Sequence, residues 1–209
     1  MIVNHLHQFA FFHVPKNAGS TIGKVLITAA PKSFPVNDHN PEISPKPIGH
    51  WTPARAIEQH PWVKRYWRFA FSRDPWARAV SLYHFLLDTK GQNFGGQFPT
   101  FERWLHATDE GPITGDWPVL RPGELARPQV YWMKNAAGEI DVGVMGKVED
   151  LRTGLNAVFD HLELDRPTRI PQINQSQHGP WRSYYSTTRL VDIVAEQYAE
   201  DIEAFGYSF

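Results

Sequence analysis

Six consecutive residues, Lys16-Asn17-Ala18-Gly19-Ser20-Thr21, bring together groups suited to holding an anion. The small residues Ala18, Gly19 and Ser20 let the backbone approach a ligand closely. A helix starting here would have first N–H groups with no intrahelical acceptor, pointing at whatever lies in front of them. Lys16 adds a mobile positive charge, and the hydroxyls of Ser20 and Thr21 add donors, so a phosphate or phosphosulfate is the natural occupant. The pattern is not G-x-x-x-x-G-K-[ST], because Lys16 precedes the glycine and no glycine opens the loop. On local chemistry alone, a plain capped turn with a solvated lysine explains the same residues equally well.

A second pair points the same way. Arg73 closes an apolar run, and Ser81 lies about two helical turns further along. The planar fork of an arginine suits a terminal phosphate, and a serine hydroxyl can donate a second bond to it. The competing reading is an Arg73 ion pair with a neighbouring carboxylate and Ser81 as an ordinary helix residue. Two anion sites on neighbouring turns would imply a ligand with phosphates at both ends.

Histidine is the side chain best suited to take a proton near neutrality, with an ordinary pKa of about 6.5, and the chain has ten. His50, in Gly49-His50-Trp51-Thr52-Pro53, precedes the Arg73 segment. His13 falls in an apolar run and reads as structural. His5 and His7 lack a further ligand cluster, so the pattern implies no metal. The chain contains no cysteine, which excludes disulfides, thiol catalysis and cysteine metal ligands. Arg182 beside Tyr184 is a further nucleotide-binding candidate, a basic group next to an aromatic one, although a surface charge explains it too. Trp51, Trp117 and Trp132 read as packing.

The elements that must position these groups follow from periodicity. Phe9 to Val14 is a short aromatic run stopped by Pro15, which predicts a buried strand. Ile22, Val25, Leu26 and Ala29 then repeat at helical spacing until Pro31. The unit recurs: a strand over Tyr66 to Ser72, then a helix on which Trp76, Ala79, Val80, Tyr83 and Leu87 share a face, with Asp74 as N-cap and Pro75 at the first helical position. Phe101, Trp104 and Leu105 predict a short helix, and Val142 to Gly146 a strand. Leu190, Val191, Val194, Tyr198, Ile202 and Phe205 predict one helix over 187–205, stopped by Gly206. Five prolines between Pro31 and Pro47 predict a loop. Strands alternating with helices define an α/β class, a mainly parallel sheet flanked by helices, with ligands expected beyond the carboxyl ends of the strands.

At 209 residues the chain is expected to form one domain spanning 1–209. Its 21 basic and 22 acidic side chains give a net charge of −1, which lacks the field of a nucleic-acid binder. No run approaches the roughly 20 apolar residues of a membrane span. The N-terminus has no basic head and apolar stretch of signal-peptide type, so a cytoplasmic protein is expected.

With these residues in view, Phe12-His13-Val14-Pro15-Lys16-Asn17-Ala18-Gly19-Ser20-Thr21 resembles the phosphosulfate-binding loop of sulfotransferases. Phe69 to Tyr83, through Arg73-Asp74-Pro75 and Ser81, resembles the 3'-phosphate-binding strand and helix of the carbohydrate-sulfotransferase-like branch, sulfotransferase family 2. Gly146-Lys147-Val148-Glu149-Asp150-Leu151, Asn174-Gln175-Ser176, Tyr184-Tyr185 and Asp201 through Phe209 follow family-like order, so the resemblance covers most of the chain. It implies a P-loop-like sulfotransferase fold and transfer of a sulfuryl group from 3'-phosphoadenosine 5'-phosphosulfate (PAPS), without a metal, to a hydroxyl or amine acceptor such as a carbohydrate. It further implies that Lys16 to Thr21 hold the 5'-phosphosulfate, that Arg73 and Ser81 hold the 3'-phosphate, and that His50 is the base while Lys16 stabilises the leaving oxygen. Asn17 stands where the family commonly has threonine and keeps a hydrogen-bond donor. Two other classes share the cradle: a magnesium-requiring nucleotide phosphotransferase and a catalytically silent nucleotide-binding module.

Overall fold

A computed structural model describes residues 1–36, 49–109, 125–171, 173 and 178–209. Of the stretch 31–47 predicted as a loop, Ser33–Pro35 form a short strand instead and residues 37–47 lie outside the described residues, as do Trp117 and Asn174-Gln175-Ser176. In chain order the elements are β1 (Ile2–Asn4), β2 (Phe9–Phe11), α1 (Gly19–Ala29), β3 (Ser33–Pro35), α2 (Pro53–Gln59), β4 (Trp67–Ser72), α3 (Pro75–Gln97), α4 (Phe101–Asp109), β5 (Gly143–Lys147), α5 (Leu151–His161), α6 (Thr188–Gln197) and α7 (Ala199–Phe205). This is the mixed α/β class that the alternating pattern predicts. No helix among the described residues is long and apolar enough to cross a membrane.

The chain divides into two compact units, Met1–Arg73 with Gln129–Asn174, and Asp74–Pro128 with Gln175–Phe209. The first holds the five-stranded sheet, in the order β3-β1-β2-β4-β5. The strands β2, β4 and β5 run parallel, while β1 pairs antiparallel with both β2 and β3. The antiparallel edge was not legible in the sequence, because β1 and β3, three residues each, carry no apolar run like the aromatic one that marks β2. The strand predicted over Phe9 to Val14 stops at Phe11, which leaves His13 in the loop beyond it. Phe9, Phe11, Phe69 and Phe71 pack with Ile22, Val25 and Leu26 of α1 and with Leu155, Val158 and Phe159 of α5. A Cβ on Gly154 would lie 2.5 Å from a Phe71 ring carbon, so only glycine lets α5 approach the sheet this closely.

In the second unit, Asp74 accepts the Ala77 N–H at 3.0 Å and Pro75 occupies the first turn of α3, as the Asp-Pro pair predicts. The face carrying Trp76, Val80, Tyr83 and Leu86 packs with Phe101, Trp104 and Leu105 of α4 and with Leu190, Ile193 and Val194 of α6. Gly91 interrupts α3 with φ 56°. The single helix predicted over 187–205 is two helices, broken at Tyr198 (φ −118°, ψ 28°), and Gly206 ends the second in a left-handed conformation.

Candidate active site

The loop between β2 and α1 owes its shape to two left-handed residues, Lys16 (φ 67°) and Ala18 (φ 54°), on either side of Asn17. Such a conformation costs a non-glycine residue roughly 1–2 kcal/mol. The turn is closed by the Asn17 N–H, which donates to Val14 O at 3.2 Å. Helix α1 then opens with Ile22 N–H donating to Ala18 O at 3.0 Å. The amides of Gly19, Ser20 and Thr21 lie ahead of that bond, and the N-cap residue, Ala18, has no side chain to cap them. Thr21 Oγ1 accepts from the Ile173 N–H at 3.3 Å, which leaves its hydroxyl proton to donate elsewhere. Gly19 is fixed by space: a Cβ there would fall 1.6 Å from His13 Cδ2.

The loop is laced to the end of β4. Asn17, buried, donates both amide protons, to Phe71 O at 2.7 Å and to Gln129 Oε1 at 2.6 Å. Both acceptors are carbonyl oxygens, which fixes the orientation of the amide. The side-chain donor credited to Asn17 in the sequence is therefore spent on the protein, and the residue holds the loop in place. Gln129, fully buried, also accepts the Arg73 N–H and donates to Arg73 O, each at 2.8 Å. The Arg73 guanidinium donates to Lys16 O at 2.8 Å, so the arginine and the loop are joined directly.

His50 lies against this loop through His13. Its Nδ1 bonds His13 O at 2.9 Å, and the two rings are 4.5 Å apart. A carbonyl only accepts, so Nδ1 carries the proton and Nε2 is the basic nitrogen of the neutral ring. Trp132, buried, flanks His50 at 5.6 Å. Burial, reinforced by His50, the terminal ammonium and Lys16, holds the His13 imidazole well below the ordinary histidine pKa. His13 is thus a neutral neighbour at physiological pH.

The remaining candidates belong to the second unit. Ser81 is 5% exposed on α3, and His84 sits one turn beyond it. Tyr184 Oη bonds His84 Nε2 at 2.8 Å. Desolvation, reinforced by His178 and opposed by Asp88, lowers the His84 pKa. The exposed Arg182 guanidinium lies 4.1 Å over the Trp181 ring. Lys16 to Thr21, His50 and Arg73 thus come together in the first unit, and Ser81, Arg182 and Tyr184 belong to the second.

Two contributors escaped the sequence. Gln129 meets Arg73 across more than fifty positions, and its one local signal is a lone amide ahead of the apolar run Val130 to Met133. His13 looked like a strand residue because the aromatic run carries on past the point where pairing stops. The donor set of this first unit, a positive-φ turn, a helix start, a lysine and an arginine, suits a nucleotide phosphate or phosphosulfate. A model of the sulfotransferase family matches residues 1–208, and the chain belongs to that family. It is therefore a transferase, with sulfuryl transfer as its general activity. No curated protein and no solved structure matches the chain significantly.

Proposed function

We propose that this chain transfers a sulfuryl group from PAPS to a hydroxyl or amine acceptor, in the first instance a carbohydrate. The observation that carries the reading is the start of α1, with Ala18 as its N-cap, behind a left-handed turn that is laced to Arg73 through the Lys16 carbonyl. In this reading the amides of Gly19, Ser20 and Thr21 hold the 5' end of the donor, with the Ser20 and Thr21 hydroxyls. Asn17 and Ala18 contribute by shaping the turn. Arg73 and Ser81 take the 3'-phosphate, as the family resemblance assigns them, while Arg182 and Tyr184 serve the nucleotide. PAPS, when bound, supplies the activated sulfuryl group.

Transfer needs an in-line nucleophile and a neutralised leaving oxygen. Lys16 neutralises the charge that grows on the leaving oxygen, and the loop amides hold the sulfuryl oxygens without a metal. His50 takes the acceptor proton at Nε2, the tautomer being set by the His13 carbonyl.

An acceptor screen with labelled PAPS in excess chelator tests this reading. Labelled product in the presence of chelator is expected. Transfer that needs added magnesium and works from ATP would point instead to a phosphotransferase. Nucleotide binding without transfer to any acceptor would leave a silent binding module.

A further inference from the structure

We infer that Gln129 is a positioning residue that couples the two ends of the donor site, holding the main chain of Arg73 in register with the phosphosulfate loop. The inference rests on the assignment of Arg73 to the 3'-phosphate. The β4 ladder ends at Ser72, one residue short of Arg73. The Gln129 side chain takes over where the ladder stops, accepting the Arg73 N–H and donating to its carbonyl as a neighbouring strand would. The same Oε1 accepts from Asn17, in the middle of the loop. A second connection runs from the Arg73 guanidinium to the Lys16 carbonyl. Displacement of Arg73 therefore strains both connections, and the amide of Gln129 holds Arg73 and Asn17 directly while Lys16 is held through the Arg73 guanidinium.

Glutamine is the residue type this requires. Gln129 is fully buried, where an amide is tolerated only with its groups bonded. Asparagine is one methylene too short to span both partners. Leucine of similar volume offers neither bond. A glutamate carboxylate keeps the acceptor but sets a second oxygen against the Arg73 carbonyl, and only its protonated form restores the donor.

The test measures, by calorimetry, the preference for 3'-phosphoadenosine 5'-phosphate (PAP) over adenosine 5'-phosphate, with thermal unfolding to confirm that each variant is folded. Arg73→Ala should lower that preference by about tenfold or more, the scale of charge-assisted hydrogen bonds. Gln129→Asn should lower it by a similar factor, and Arg73→Ala/Gln129→Asn no further than Arg73→Ala alone. Gln129→Glu carries the test if the asparagine variant is unstable. Its preference, relative to wild type at the same pH, should be weak at pH 8 and recover on acidification as the buried carboxyl takes a proton. A wild-type preference in Gln129→Asn, additive losses in the double variant, or a pH-independent ratio in Gln129→Glu each overturns the role of Gln129. A wild-type protein indifferent to the 3'-phosphate, or an unchanged preference in Arg73→Ala, removes the donor-site assignment itself and this inference with it.

Discussion

Lys16 and His50 are asked to do different things, and their variants separate the two roles. If Lys16 neutralises the leaving oxygen, Lys16→Ala should depress turnover more than PAP affinity, because only stabilisation confined to the transition state raises the rate. A variant with weaker donor binding and an intact saturated rate would make Lys16 a tether. Loss of a positioned base typically costs about 10²–10⁴ in rate. His50→Ala should therefore nearly abolish transfer and leave PAP affinity near wild type, as judged by calorimetry beside a product assay. Turnover close to wild type on a true acceptor would move the base elsewhere. His13 gives a pH signature in stability. Its folded-state pKa is depressed, so the unfolded chain binds the proton more readily. The stabilisation is complete above about pH 6.5 and declines as the pH falls below that, by at most about 1.4 kcal/mol per unit. In denaturant titrations from pH 7.5 to 5, His13→Gln should lose stability less steeply than wild type.

Among the elements, those legible in the sequence are the ones whose causes are local. Asp74-Pro75 announces α3, and the aromatic runs announce β2 and β4, since capping and burial act through nearest neighbours. Asp74→Ala removes the side-chain acceptor of the Ala77 amide. It should cost about 1 kcal/mol, or roughly 2–4 °C in melting temperature for a chain of this size, and Asp74→Ser should restore most of it. Illegible were the features fixed at a distance or against propensity. Lys16 and Ala18 are left-handed without being glycine, which no pattern announces. The break at Tyr198 falls inside an unbroken helical period. The donor amide of Asn17, which the sequence offers to a ligand, is claimed by Phe71 and Gln129. Local pattern thus located the loop and Arg73, while the lacing between them depends on tertiary contact.

At the scale of the whole molecule, neither compact unit is continuous in sequence. The chain leaves the first after Arg73 and returns at Gln129. A fragment ending at Arg73 keeps β1 to β4 but loses β5, α5 and Gln129, and with them Leu155, Val158 and Phe159 of the core. Such a fragment should be largely unfolded by far-UV circular dichroism, whereas a fragment with native-like spectra would show that the later segments are dispensable for the sheet. The order of the chain also matters while the protein is being made. From Ser72, the end of β4, to Lys147, the end of β5, is 147 − 72 = 75 residues. At about 5–20 residues per second, the ribosome needs roughly 4–15 s to cover that distance. For those seconds the nascent chain carries the apolar Trp67, Phe69 and Phe71 of β4 unpaired, before its parallel partner β5 exists. Unpaired apolar edges are where aggregation starts, so production of this enzyme should depend on chaperones that shield the chain during synthesis more than on anything that acts once it is released.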